Sequence, residues 1–118
     1  MKQLFTALAC LLLFACETIT SDITQDELAR YKAEVRFEGK TLKITLDNPP
    51  GERVTKMVYS VRHGEIYIGA QRGTGEGGVV DYTFDLSEEG TLPDDLRGHV
   101  YWINPDKTAK PLDPKYLK

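Results

Sequence analysis

Six consecutive residues, Gly73-Thr74-Gly75-Glu76-Gly77-Gly78, spell G-x-G-x-x-G. In dinucleotide-binding proteins this spacing brings backbone N–H groups against a pyrophosphate at a helix N-terminus. Here Gly78 is followed by Val-Val-Asp-Tyr-Thr-Phe-Asp-Leu, a strand-type alternation with no helix dipole to offer an anion. The stretch reads as a flexible loop between strands, and Arg72, Gly73, Thr74, Gly75 and Glu76 as a candidate partner contact rather than a phosphate cradle. The two histidines, His63 and His99, fall at a turn tip and a strand start. Zinc needs three or four convergent ligands, and the chain has neither H-x-x-x-H nor H-E-x-x-H, so no metal site is expected. Asp85, Glu88 and Glu89, and separately Asp94 and Asp95, read as solvated loop carboxylates because no twelve-residue EF-hand loop holds them. Ser60 falls mid-strand and Ser87 in a loop, neither within G-x-S-x-G. With no paired carboxylates identifiable across a cleft, no catalytic residue and no cofactor is expected. Among the aromatics, Tyr67 lies on the strand face opposite Ile66 and Ile68 and is the candidate surface aromatic, while Tyr101 and Trp102 point to opposite faces.

The N-terminus carries a different kind of signal. Lys2 supplies a positive charge, and Leu4 to Ala15 is an apolar run broken only by Thr6, the layout of a secretory signal peptide. Twelve helical residues span about 18 Å against a hydrocarbon core of roughly 30 Å, so the run reads as an export signal rather than a membrane span. Its end, Leu13-Phe14-Ala15-Cys16, resembles the lipobox of bacterial lipoproteins, with Phe14 where a small residue is usual. That resemblance implies a signal peptide over 1–15 and a lipidated Cys16 as first residue of the mature chain. It also implies an address at the periplasmic side of the outer membrane, because the following residue is Glu17 and not Asp. Cys10 has only Leu4 to Ala9 ahead of it and is a poor alternative. Residues 16–22 read as lipidated N-terminus and tether, with Glu17 to Ser21 reaching at most about 18 Å, and 23–118 as one β domain without cysteine.

Removing 15 residues from 118 leaves 103, the size of one domain. At 41% apolar and 28% charged residues, the chain is neither low-complexity nor wholly disordered. Its net charge of −3, or −4 without Lys2, argues against a nucleic-acid partner.

The elements that must position these residues are mostly strands. Thr24-x-x-Glu27 has capping-box spacing and predicts one short helix. A turn at Gly39-Lys40 pairs Val35 with Ile44 and Phe37 with Leu42. A turn at His63-Gly64 pairs Val61 with Ile66, Tyr59 with Ile68 and Met57 with Ala70. Further strands are expected at Val79 to Leu86, at His99 to Asn104 and around Ala109 to Leu112, with a helical turn beginning near Pro93. The expected core is Val35, Phe37, Leu42, Ile44, Tyr59, Val61, Ile66, Ile68, Val80, Tyr82, Phe84 and one of Tyr101 or Trp102. The expected fold is all-β: a small antiparallel sandwich of immunoglobulin-like architecture, or a barrel, of six to seven strands. The expected function is a non-catalytic, membrane-anchored binding or assembly module that contacts an envelope protein or the cell wall. The runner-up is an inhibitor of a cell-wall hydrolase, by analogy with small β-rich lipoproteins that block lysozymes and that carry disulfides this domain lacks. A small envelope hydrolase ranks third.

Overall fold

The computed structural model describes residues 21–89 and 92–118. The expected signal peptide, the lipidation of Cys16 and the tether up to residue 20 lie outside the described residues. Seven strands form: β1 (Glu34–Glu38), β2 (Thr41–Asn48), β3 (Gly51–Arg62), β4 (Glu65–Gly75), β5 (Gly78–Asp85), β6 (Val100–Ile103) and β7 (Ala109–Pro111). They make a three-stranded sheet ordered β1-β2-β5 and a four-stranded sheet ordered β3-β4-β6-β7. The two layers form a small sandwich and do not close into a barrel, since among the described residues β3 and β5 each have a single neighbour.

Both expected hairpin registers occur. Val35 faces Ile44 and Phe37 faces Leu42, while Val61 faces Ile66, Tyr59 faces Ile68 and Met57 faces Ala70. The second turn takes left-handed backbone at both positions, His63 at φ 53° and Gly64 at φ 77°, as a two-residue hairpin matched to strand twist requires. Between the sheets, Leu42, Ile44 and Leu46 of β2 meet Ile66, Ile68 and Ala70 of β4 in one buried cluster that includes Trp102. Phe37, Tyr59, Val61, Val80, Tyr82 and Phe84 pack against it half-buried.

One corner sets the relation of the layers. Pro49 and Pro50 carry the chain from β2 to β3, and Glu76 and Gly77 carry it back from β4 to β5. The buried Asn48 side chain joins the two crossings, donating from Nδ2 to the Gly78 carbonyl (3.0 Å) and accepting from the Val54 N–H (2.8 Å). The approach is close: a Cβ on Gly77 would stand 2.7 Å from the Asn48 carbonyl oxygen.

Several expectations are corrected. The sheets are not antiparallel throughout, because β4 and β6 run parallel, with Tyr67 beside Tyr101 and Ile68 beside Trp102. Arg72 to Gly75 are not a loop; they extend β4 and pair with Gly51 to Val54, leaving Glu76 and Gly77 as the connection. A β-bulge between Val54 and Lys56 accommodates the longer hairpin and shifts the inward phase, so that Val54 and Met57 are both buried. The late helical turn is a 3-10 turn at Leu96–His99, begun by the Asp95 side chain accepting from the Arg97 N–H rather than by Pro93. Finally, Ser21 and Asp22 are not tether but part of the body. Asp22 N–H donates to the Ala70 carbonyl (2.7 Å), and Ser21 Oγ lies 3.2 Å from both the N–H and the carbonyl oxygen of Ala70.

Candidate functional site

Segment 21–31 is a strap that joins β4 at Ala70, beyond the β4–β6 pairing and on the side away from β3. The expected capping box forms reciprocally: the Thr24 N–H donates to Glu27 (3.1 Å) and the Glu27 N–H to Thr24 Oγ1 (3.2 Å). It starts a 3-10 turn over Asp26–Ala29 rather than a longer α-helix. Trp102 Nε1 donates to the Ile23 carbonyl at 2.7 Å, which satisfies the indole while its ring is buried. Arg72 closes the other end of the strap. Its guanidinium donates to Glu27 (2.6 Å) and to Tyr31 Oη (3.1 Å) and stands 3.8 Å from Glu52, which also pairs with Arg30. Hydrogen bonds to Tyr31 and Glu27 push the Arg72 pKa above its ordinary value and keep it charged. Burial works to raise the Glu27 pKa, but the Thr24 N–H and the Arg72 guanidinium outweigh it and hold the carboxyl below its ordinary value. Arg72 is thus a clamp within the molecule, whereas Gly73, Thr74, Gly75 and Glu76 are exposed.

Tyr67 lies where the alternation places it, on the outer face of the four-stranded sheet, and its ring stacks on Tyr101 at 5.3 Å between centroids with 28° between planes. Ile103 is buried beside this pair by the half-buried Val58, Tyr67 and Ala109. An outer sheet face normally carries the polar half of the alternation. Here it carries an aromatic and aliphatic row flanked by Lys56, Ser60, Arg62 and Glu65. The site lacked a sequence signal because Tyr101 becomes a neighbour of Tyr67 only through the parallel β4–β6 pair. That pairing joins strands separated by the whole of β5 and its following loop.

The two histidines also converge without a local signal. His63 and His99 line a cleft of about 560 Å³ at the turn end of the sandwich, with Glu89, Leu92 and Pro93. His99 Nδ1 stands 3.3 Å from Glu65, and Tyr59 donates to Glu89 at 3.1 Å. Burial, and then the Glu89 carboxylate, push the Tyr59 hydroxyl pKa upward. Among the described residues no group of three His, Cys, Asp or Glu side chains converges as a metal site, and no helix is long and apolar enough to cross a membrane.

The chain matches no protein-family model, no curated protein and no solved structure.

Proposed function

We propose that this chain is a lipid-anchored, non-catalytic binding module at the periplasmic side of the bacterial outer membrane, and that the Tyr67–Tyr101 row is its contact surface for an envelope protein or the cell wall. The observation that carries the binding role is the stacked tyrosine pair on an outer sheet face. Paired phenol rings combine large apolar area with polar tips and lose few rotamers on docking. The exposed end of β4, Gly73 to Gly75, with Glu76 of the following connection, is a second contact. The anchoring role is supported by the lipobox-like Leu13-Phe14-Ala15-Cys16. Two acyl chains there would give stable attachment where a single chain would hold only marginally.

The test combines mass and capture. Mass spectrometry of the protein purified from membranes is expected to find a mature chain beginning at acylated Cys16; an unmodified start at another residue ends the anchoring claim. A photo-crosslinking residue at Tyr67 is expected to give one reproducible adduct in intact cells, weakened by Tyr101→Ser, while the same probe at Arg36 on the outer face of the other sheet gives none. Equal capture from both faces removes the role of the tyrosine row.

A further inference from the structure

The sandwich has four sheet edges, and two of them are closed. The β1 edge carries the chain's end, with Val35 bridged to Leu117 and the Lys118 N–H donating to the Val35 carbonyl at 2.9 Å. The β7 edge is three residues long and ends in Pro111, whose carbonyl accepts from Gln25. Among the described residues the β5 and β3 edges have no neighbour strand. They lie on the same side of the sandwich, since Tyr59 packs on Phe84 at 4.7 Å and Tyr82 Oη donates to the Val54 carbonyl.

The pairing pattern shows which backbone groups are open. The Leu86 N–H donates to the Lys40 carbonyl at 2.8 Å, continuing the β2–β5 register. Because directly opposed antiparallel residues alternate between bonded and non-bonded, Val80, Tyr82 and Phe84 turn their N–H and C=O to β2. Val79, Asp81, Thr83 and Asp85 turn theirs outward. On β4, Ala70 bonds the strap, so its partner Met57, with Tyr59 and Val61, turns outward from β3.

The apolar layer is unfinished along this same side. Leu42, Ile44 and Leu46 are 0, 2 and 0% exposed, yet their register partners Phe84, Tyr82 and Val80 are only half-buried. Tyr59 and Val61 are likewise half-buried beside the fully buried Ile68 and Ile66. The charges along the two edges are opposite in sign. Outside β5 stand Asp81 and Asp85, whose hydrogen bonds come from Thr45 and Ser87 and which take part in no ion pair among the described residues. Along β3 stand Arg53, Lys56 and Arg62, while the strand's one carboxylate, Glu52, is held by Arg30 and Arg72. Like charges facing each other across a strand pair are destabilising, so each edge disfavours its own copy and favours the other.

We propose that two copies of this chain form a two-fold dimer in which β5 of each pairs with β3 of the other. The three-stranded sheet of one copy then continues into the four-stranded sheet of its partner, twice. A two-fold axis parallel to the strands produces this exchange, because it carries one layer onto the level of the other and preserves strand direction. Within one copy β3 and β5 both run from the Asn48 corner toward the His63 end, so the new pairs are parallel. The same axis preserves position along the strands. Phe84 is level with Tyr59, which sets Asp81 level with Lys56 of the second copy and Asp85 level with Ser60, one step from Arg62. The inference does not depend on the lipid anchor or on the tyrosine row.

Sedimentation velocity of the full chain in detergent tests it. A dimer is expected at micromolar protein. Asp81→Lys and Lys56→Asp should each raise the dissociation constant at least tenfold, and combining them should restore dimerisation with the charges exchanged. Thr83→Pro removes an outward N–H and no bond to β2, so it should abolish the dimer while leaving the unfolding midpoint near that of the parent. A monomer at 100 µM overturns the proposal. So does a dimer indifferent to Thr83→Pro, or a combined variant that stays as weak as the single ones. Rescue by the exchange separates this surface from general acidity, and a dimer that holds while the Tyr67 probe captures nothing separates it from the binding role.

Discussion

Replacing Asn48 by Ala tests the corner on which the whole sandwich turns. Asn48 is 3% exposed, and its side chain bonds both sheets. Removing it strips the acceptor from the Val54 N–H, which sits in a residue 1% exposed, and leaving a buried donor unpaired costs about 1–3 kcal/mol. The lost bond to the Gly78 carbonyl adds less, about 0.5–1 kcal/mol, because Gly78 is exposed and water replaces the amide. The expected loss is therefore about 1.5–4 kcal/mol, a large fraction of the 5–15 kcal/mol typical of a domain. For a domain of this size, at about 4–8 °C per kcal/mol, that lowers Tm by roughly 6–30 °C. Urea unfolding followed by circular dichroism reads it directly, with an unchanged m-value showing that the stability and not the extent of unfolding has moved. Thr45→Ala supplies the contrast, since it deletes the 2.6 Å hydrogen bond to Asp81 at an exposed position and should cost below about 0.5 kcal/mol. If Asn48→Ala also costs that little, the corner is not held by this side chain and the account of how β3 and β5 come to lie together is wrong.

Ile44→Ala, at a position 2% exposed between the layers, should cost about 2–5 kcal/mol in the same assay. A small loss would mean the inner face of β2 is not core. Glu27→Gln should weaken the strap by roughly 1 kcal/mol at neutral pH. The Glu27 pKa is lowered in the folded state, so its contribution is present above the ordinary value of 4.5 and fades as pH falls through the folded value. The stability gap between parent and variant should thus be constant at neutral pH and close below about pH 4.5, and a gap that widens on acidification contradicts the Arg72–Glu27 clamp.

What the sequence made legible is what local chemistry decides. Gly39-Lys40 and His63-Gly64 specify two-residue turns, and a two-residue turn sets the register of its hairpin, so the pairs Val35 with Ile44 and Tyr59 with Ile68 could be read outright. The capping box at Thr24 was visible for the same reason. The phase beyond Met57 was hidden because the bulge before Lys56 adds one residue with no compositional mark, and the four glycines from Gly73 to Gly78 look like a loop although the first two complete a long strand. The candidate surface was half visible: alternation alone turns Tyr67 outward, but its partner Tyr101 comes from a parallel pairing, which no turn specifies. Arg72 stands out in the sequence as a charge in a supposed loop, and its ion partner on the strap, Glu27, separated from it by 45 residues, gives no sign in the spacing.

If Cys16 carries the proposed anchor, that anchor and the proposed dimer constrain one another. Ser21 is fixed to β4, and five residues of chain reach at most about 18 Å, so a lipidated Cys16 would hold this part of the domain close to the bilayer. The strap runs along the side of β4 that faces away from β3, so Ser21 lies on the far side of β4 from the β3 edge. If both copies are anchored in one bilayer, a two-fold axis along the membrane normal would place both anchors on the same leaflet. An arrangement of β5 against β5 has its axis across the strands, which would stand the strands parallel to the membrane and set Asp81 and Asp85 among their own copies. The β5 to β3 exchange has its axis along the strands. It would bring the two straps to one height, stand the sheets upright on the bilayer, and turn the two Tyr67–Tyr101 rows outward on opposite faces, each toward a separate proposed partner.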